Sequence, residues 1–312
     1  MLLIKIKSLL FFCIEIHLPD IISKISLDPF GRLVLVATRD KRECFIAVSS
    51  ASSLKLQKKT IRTLANQTVP FVSATWCNRF IKQTESVALL ATKEGNIYEI
   101  SIQPNGDLVY CTEVYPGFKS VMETYMDSVT GIYCDVKTSY EDSTNVFVVV
   151  TTQKAIYYFE NTIDPTRKSD IFLPFFGVYR DASVTDLKYR EFPSVIPVSE
   201  IQLYSRPKSS TSKILQRQFA WITGAGLYYT EIDPNNVQKS FLERSRIIDY
   251  GIDIQLRQND NEEPPRSVAL TEFHCLMMFP NENLIRGMCT VNQKVIMIDG
   301  SMEVQANFLG RQ

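Results

Sequence analysis

The sequence has few of the residues on which metal sites and acid–base catalysis depend. Its 312 residues include two histidines, His17 and His274, which lie far apart in sequence. A lone histidine beside apolar neighbours, as at His274, is more often packed than catalytic. The seven cysteines are scattered without a Cys-x-x-Cys pair, a pattern typical of small buried side chains in a reducing compartment. We therefore predict no metal ion, no cofactor and no catalytic residue.

Net charge and long apolar runs are also missing. Lys plus Arg and Asp plus Glu are both 34, so no overall field draws the chain to nucleic acid. A membrane-spanning helix needs about 20 apolar residues. The N-terminal apolar stretch, residues 9–14, is six residues long, is closed by Glu15 and His17, and lacks a following cleavage site. We interpret residues 1–18 as an atypical N-terminal segment and residues 19–312 as the main domain.

What the chain does contain is a repeated cassette: an apolar run, a threonine, a tight turn and an aromatic-rich segment. Three clear copies have their threonines at Thr92, Thr151 and Thr223, and two weaker copies have them at Thr38 and Thr271. The copies recur roughly every 50 to 70 residues, the interval of a four-stranded blade rather than of a helical repeat. The sequence therefore predicts an all-β fold, a β-propeller with WD40-like blades, five of them recognisable in a total of about five to seven.

Some segments do not follow the cassette pattern. Residues 109–136 look irregular and are candidates for one more blade. The blade count, and whether the propeller is complete, therefore stay open. A short surface helix between blades is predicted over about residues 236–248, where apolar side chains fall near helical spacing. Turns are predicted at residues 28–31, 103–106, 233–235 and 280–281, where Pro, Asn and Gly accept turn geometry.

Aromatic residues recur in register with the cassette, which indicates blade packing rather than one ligand site. Where two tyrosines are adjacent, as at Tyr157 and Tyr158, one ring is expected between sheets and the other near a rim, because neighbouring strand residues face opposite ways. Trp76 and Trp221 lie in apolar strands and are expected in the core.

Two polar stretches interrupt the strands. Residues 205–218 contain Arg206, Lys208, Lys213 and Arg217 without an acidic residue, and residues 258–265 are acidic. Both are interpreted as solvated loops. The four cations of the first loop are also the candidate membrane-contact residues, since basic residues bind anionic lipid headgroups.

Two functional hypotheses follow from the residues. A non-enzymatic scaffold fits the repeats and the missing nucleotide-loop and nucleophile motifs. The segment Gly224-Ala225-Gly226 is not a dinucleotide loop, because Tyr229 stands at the third glycine position and a strand follows. The alternative is a propeller enzyme or small-ligand binder whose central funnel gathers acids from several blades. Convergent acids or histidines in the channel would favour the enzyme.

Several collinear motifs resemble the N-terminal propeller of the vacuolar protein sorting 18, or deep orange, family. They lie at residues 25–32 (ISLDPFGR), 73–78 (SATWCN), 90–99 (LATKEGNIYE), 190–194 (REFPS), 219–226 (FAWITGAG) and 269–276 (ALTEFHCL).

This resemblance implies a subunit of the class C vacuolar sorting core, shared by the HOPS and CORVET tethers that act in vesicle docking and membrane fusion. It implies other class C subunits as partners, SNAREs and Rab GTPases as indirect partners, and peripheral association with late endosomes and lysosomes or vacuoles from the cytoplasm. The family's helical solenoid and RING-type zinc domain are expected to be absent from this sequence.

Overall fold

A computed structural model shows the fold of the chain. It describes residues 2–7, 11–16, 22–38, 44–50, 53–63, 65, 67–77, 81, 84–117, 129–139, 144–152, 155–180, 187–191, 201–205, 217–223, 226–248, 265, 267–271, 274–279, 284–289 and 295–299. The chain divides into two compact units. Unit 1 comprises residues 1–152 and 157–188, and unit 2 comprises residues 153–156 and 189–312.

In the described residues, unit 1 begins with a hairpin and two four-stranded antiparallel sheets. The hairpin consists of β1 (Leu2–Lys7) and β2 (Phe11–Ile16). The first sheet consists of β3 (Ile22–Leu27), β4 (Leu33–Thr38), β5 (Cys44–Ser50) and β6 (Ser53–Thr60). The second sheet consists of β7 (Phe71–Trp76), β8 (Ser86–Thr92), β9 (Ile97–Ile102) and β10 (Leu108–Tyr115).

Three further four-stranded sheets follow along the described chain. The third consists of β11 (Val129–Ser139), β12 (Thr144–Thr152), β13 (Ala155–Ile163) and β14 (Lys188–Glu191). The fourth consists of β15 (Ile201–Ser205), β16 (Arg217–Thr223), β17 (Gly226–Ile232) and β18 (Arg246–Ile248). The fifth consists of β19 (Ser267–Leu270), β20 (His274–Met278), β21 (Leu284–Cys289) and β22 (Val295–Asp299). In every sheet the strand order follows the sequence, as expected for a meander.

The apolar run of the cassette is the second strand of a sheet. Every residue of β4 and β8 is buried. Because successive residues of a strand face opposite sides, these strands are covered on both faces, which explains their unbroken apolar sequence. One core cluster joins the first two sheets through Leu33, Leu35, Phe71, Leu90 and Ile100.

The cassette threonine closes the turn to the next strand. The Thr92 hydroxyl accepts a hydrogen bond from the Asn96 amide at 3.2 Å, and the Thr223 hydroxyl donates to the Gly226 carbonyl at 2.6 Å. Gly226 has a φ of +148°, and a Cβ there would lie 2.6 Å from the Ile248 carbonyl oxygen. This glycine is therefore required by the close approach of two strands of the fourth sheet.

Two sequence predictions are wrong in detail. The described parts of residues 109–136 do not form an extra blade, because they belong to the end strand of the second sheet and the first strand of the third. The weak copy ending at Thr271 is the first strand of its sheet, whereas the three clear copies are second strands. Tyr157 and Tyr158 are both buried, so neither ring lies at a rim, because both faces of the strand are covered there.

The predicted basic loop is shorter than expected at both ends. Ser205 ends β15 and Arg217 begins β16, and these two residues pair with each other. Arg206, Lys208 and Lys213 lie outside the described residues, as do residues 258–264 of the acidic loop and the turn at 280–281. Pro265, at the end of that loop, is described and buried.

Among the described residues, two connections between the third and fourth strands of a sheet contain a helix. In unit 1 the segment at residues 164–180, named the first cap, contains α1 (Leu173–Gly177). In unit 2 the segment at residues 233–245, named the second cap, contains α2 (Val237–Leu242). The helix predicted over residues 236–248 therefore exists but is shorter and lies within a sheet connection rather than between blades. Its predicted end forms β18, because Ile247 and Ile248 pair with Tyr228 and Leu227.

Candidate interaction surface

Hydrogen bonds join the first strands of neighbouring sheets in unit 1. The Trp76 indole donates to the Ser26 hydroxyl at 3.0 Å, linking β7 to β3. On the other side of β7, the Ser73 and Thr75 hydroxyls accept from the amides of Ile132 and Cys134 on β11, each at 3.2 Å. The strands β3, β7 and β11 therefore form a continuous wall, which is named the inner wall.

Asp135 is the only acidic residue on the three strands of the inner wall. It is 3% exposed, and its carboxylate accepts hydrogen bonds from the Tyr133 hydroxyl and from the Val136 amide at 2.7 Å. Both oxygen atoms are thus engaged by residues of the same strand. The inner wall consequently offers no second carboxylate with which Asp135 could act in glycoside hydrolysis.

Of the two histidines, the structure describes His274. His274 is exposed on β20, contrary to the expectation that it is packed, and its amide donates to the Thr271 hydroxyl at 3.0 Å. His17 lies outside the described residues. No group of three or more His, Cys, Asp and Glu side chains suited to a metal ion occurs in the part of the chain that the structure describes.

The turn between β3 and β4 is fixed by a buried carboxylate. Asp28 is 2% exposed, and one of its oxygens accepts from the amides of Arg32 at 2.5 Å and Leu33 at 2.8 Å. The Asp28 carbonyl accepts from the Gly31 amide at 2.9 Å. Gly31 has a φ of +68°, a left-handed conformation that glycine adopts without a steric penalty. The sequence prediction of a turn at residues 28–31 is confirmed.

This rigid turn presents apolar side chains to solvent. Phe30 is 60% exposed and Leu27 is 46% exposed, although both are large and apolar. The Arg32 guanidinium lies over the Phe30 ring, 4.6 Å from its centroid, within range of a cation–π interaction. Trp76, expected in the core, is partly buried, packs against the core cluster of the first two sheets and donates to Ser26. The set Leu27, Phe30 and Arg32 is named the Phe30 patch.

Sequence reasoning identified the turn but missed the Phe30 patch. The signal was present, because a phenylalanine at the tip of a Pro-Gly turn has little apolar surface to pack against. Trp76 packs against the core cluster, as expected, but it is only partly buried.

A second buried carboxylate holds the first cap in place. Glu99 on β9 is fully buried, and its oxygens accept from the amides of Ile171 at 3.0 Å and Phe172 at 2.8 Å and from the Tyr110 hydroxyl. Burial raises the pKa of the Glu99 carboxyl above its ordinary value of 4.5, and these hydrogen bonds oppose that rise only in part. The charge of Asp170 raises it further. No sequence motif indicated this contact, since its partners lie more than 70 residues apart.

Of the predicted membrane-contact residues, the structure describes Arg217 alone. It is partly buried at the start of β16, where it pairs with Ile232 of β17 as well as Ser205. It therefore sits within a sheet rather than in a loop. Among the described residues, no helix is long and apolar enough to cross a bilayer.

Meandering four-stranded sheets built from repeated cassettes are the blades of a β-propeller, and that predicted fold class is confirmed. The chain belongs to the Pep3/Vps18/deep orange β-propeller family, whose domain matches residues 14–310. The family resemblance of the sequence motifs is thereby confirmed.

Curated relatives carry the Vps18 name. The chain is 26% identical over 280 residues to the vacuolar protein sorting-associated protein 18 homolog of Danio rerio, covering 88% of this chain and 26% of the relative. It is 21% identical over 286 residues to the Drosophila melanogaster homolog, covering 88% and 27%. The chain therefore spans about a quarter of the length of these relatives.

Solved structures with a similar arrangement include Sqt1 of Saccharomyces cerevisiae, with a TM-score of 0.46 and 10% identity over 88% of this chain and 62% of that one. A calcium-binding regucalcin from Agrobacterium tumefaciens has a TM-score of 0.44 and 11% identity, over 89% and 73%.

Proposed function

We propose that this chain is the propeller portion of a non-enzymatic scaffold subunit that acts in vacuolar protein sorting. The observation that carries the proposal is the family match over residues 14–310. The inner wall supports the proposal. Its acidic residue, Asp135, is hydrogen-bonded by its own strand, and the apolar side chains of Leu27 and Phe30 are exposed beside the wall. Propellers of this kind act as rigid surfaces for other proteins.

The finer proposal follows the relatives' names. The chain acts in the endosomal and lysosomal, or vacuolar, tethering complexes HOPS and CORVET, on the cytoplasmic face of those membranes. Its direct partners are other class C subunits, and SNAREs and Rab GTPases are reached through them.

Complementation tests this proposal. In cells lacking the endogenous family member, tagged residues 1–312 are expressed beside the full-length Danio rerio relative, and the core subunits recovered with each are quantified. We expect core subunits with both baits, but fewer with the shorter chain, because it matches 26% of the relative's length. Lysosomal fusion should be restored only by the longer protein.

A chain with an unfolded propeller serves as the matched control, and Trp221→Asp supplies it by introducing a charge at a buried position. Recovery of core subunits by this variant at the level of the unchanged chain would show that the contacts do not need the fold. Absence of core subunits from the unchanged chain would contradict the proposal, and full rescue of fusion by it would refute the expectation about length.

Membrane contact through Arg206, Lys208, Lys213 and Arg217 stays a separate proposal. Four cations near an anionic surface contribute about 1 kcal/mol each. Changing all four to Ser should abolish flotation with vesicles containing phosphatidylserine. Because Arg217 lies in β16, a triple variant that keeps it is the matched control for folding, and unchanged flotation of both variants would exclude the loop.

A further inference from the structure

We propose that the Phe30 patch is a docking site for a short segment of another protein in which an acidic residue lies beside an aromatic or leucine side chain. This inference rests on the proposed scaffold function and deepens it by naming the surface and the chemistry of the partner. It is carried by the exposure of Leu27 and Phe30, the position of Arg32 over the Phe30 ring, and the rigidity of the turn.

The turn is organised before a partner binds. The Asp28 carboxylate and carbonyl together accept three backbone hydrogen bonds, and the Asp28 amide donates to the Leu33 carbonyl at 2.9 Å. The backbone beneath Phe30 is thus fixed by contacts that do not involve its side chain. Binding at a preorganised surface loses less conformational entropy, so a small patch can give useful affinity.

The composition of the patch is that of an interface centre. Aromatic residues and arginine are enriched among residues that dominate binding energies, particularly where they can be fully desolvated. Phe30 is 60% exposed and Leu27 is 46% exposed. Covering these two side chains removes apolar surface from water, which favours association by about 25 cal/mol per Å² before the losses on binding.

The charge of the turn determines the charge expected of the partner. The Asp28 side chain is fully buried, whereas that of Arg32 is 40% exposed, and their ion-pair atoms are 4.0 Å apart. The charge that the turn presents to a partner is therefore positive. A guanidinium binds a carboxylate through two parallel hydrogen bonds, and the Phe30 ring alongside Arg32 shields that pair from water.

A protein segment suits this surface better than a membrane does. The turn supplies one cation and two strongly exposed apolar side chains, and stable membrane anchoring takes more than one such signal. An acidic-apolar segment uses both features at once, whereas an anionic bilayer would gain little from the fixed geometry of the turn.

Peptide selection tests the proposal. A phage-displayed library of 12-residue peptides is selected on residues 1–312 and counter-selected on the Phe30→Ala variant. We expect enriched sequences that place Asp or Glu within two positions of Trp, Phe or Leu. Binding of the best synthetic peptide should fall at least about tenfold in Phe30→Ala and in Arg32→Glu. Two matched controls, Val178→Ala at another exposed apolar residue and Lys93→Glu at another exposed cation, should bind unchanged.

A charge exchange separates recognition from folding. Replacing the acidic residue of the peptide by Lys should weaken binding to the unchanged chain and restore it to Arg32→Glu. Enrichment of basic or uncharged peptides, or equal binding by Phe30→Ala, would overturn the proposal, as would Phe30-dependent flotation with anionic vesicles without peptide binding. Core subunits recovered without any selected peptide would refute the patch and leave the scaffold function standing, whereas peptide binding without core subunits would contradict the scaffold function.

Discussion

The two caps occupy equivalent places in their sheets but are anchored by different chemistry. The first cap is bound through a buried carboxylate of another sheet, because Glu99 on β9 accepts from Ile171 and Phe172. The second cap is bound to its own sheet by neutral hydroxyls, with Tyr228 and Thr230 of β17 donating to the carbonyls of Phe241 and Ser240. It is also bound to β14 of the third sheet, because Arg190 donates to the Ser245 carbonyl at 3.1 Å and to the Ser245 hydroxyl at 2.6 Å. Both caps therefore contact a second sheet, the first through a buried carboxylate and the second through a guanidinium.

The aromatic packing of the two caps also differs. Phe176 of the first cap lies 5.5 Å from Tyr115 on β10 and 5.4 Å from Phe159 on β13, measured between ring centroids. Phe241 of the second cap lies 5.1 Å from Phe219 on β16 of its own sheet. Cooperativity between neighbouring blades can thus be supplied by a connection as well as by the facing strands. The following variants test that distinction.

The largest effect is expected from the two aromatic truncations. Phe176→Ala and Phe241→Ala each remove a fully buried ring and should lower the free energy of unfolding by about 3–5 kcal/mol. In amide hydrogen exchange, Phe176→Ala should increase exchange in both β10 and β13, whereas Phe241→Ala should increase it in the fourth sheet alone. Exchange confined to β13 in the first variant would show that the first cap does not couple the sheets.

Removing the Glu99 carboxylate should come next. Glu99→Ala leaves two buried amides and the Tyr110 hydroxyl without their acceptor, and the free energy of unfolding should fall by about 3 kcal/mol. Urea denaturation measures this change. Glu113→Ala, at an exposed carboxylate on β10, is the matched control and should change stability by less than about 0.5 kcal/mol. Equal losses in the two variants would mean that burial of the carboxylate is immaterial.

A neutral anchor of the second cap should matter less. The Ser240 hydroxyl accepts from the Asp233 amide at 2.9 Å and donates to the Asn236 carbonyl at 3.0 Å. Ser240→Ala should lower the free energy of unfolding by about 1 kcal/mol, the usual net contribution of such a bond. A loss as large as that of Glu99→Ala would remove the energetic contrast between the caps.

The smallest effect is a pH dependence specific to the first cap. Because the folded-state pKa of Glu99 is raised above 4.5, folding favours the protonated carboxyl. The stability that this protonated carboxyl contributes is present at low pH and is lost as the pH rises from 4.5 through the raised folded-state pKa. The stability of the unchanged chain relative to Glu99→Gln should therefore increase between pH 7 and pH 5. A relative stability that decreases over this range would show that the hydrogen bonds outweigh burial.

Glu160 provides the matched control for that titration. Burial opposes its ionisation, but hydrogen bonds from Lys137 and Tyr158 and the charge of Lys137 outweigh burial and hold its pKa below 4.5. Its stabilising contribution is lost only as the pH falls through that lower value. The stability of the unchanged chain relative to Glu160→Gln should hence stay constant between pH 7 and pH 5.

Local patterns in the sequence determined the blades. The apolar run before each of Thr92, Thr151 and Thr223 is a second strand, because a strand covered on both faces must be apolar. Thr92 and Thr223 also close the turns that follow them. The turn at residues 28–31 was equally readable, since Asp, Pro and Gly each favour a specific turn geometry. These features depend on neighbours in the chain, and the family resemblance depends on the same motifs.

Only the tertiary structure decided where side chains without a local partner lie. The burial of Glu99 depends on amides more than 70 residues away, and the 60% exposure of Phe30, with Arg32 over its ring, depends on the folded surroundings of the turn. The last residues of the predicted helix, Ile247 and Ile248, form strand β18 instead, because they pair with Tyr228 and Leu227 of β17. This pairing outweighed the helical spacing of residues 236–248. Burial and strand pairing are properties of the folded surroundings, so residue type and spacing alone do not determine them.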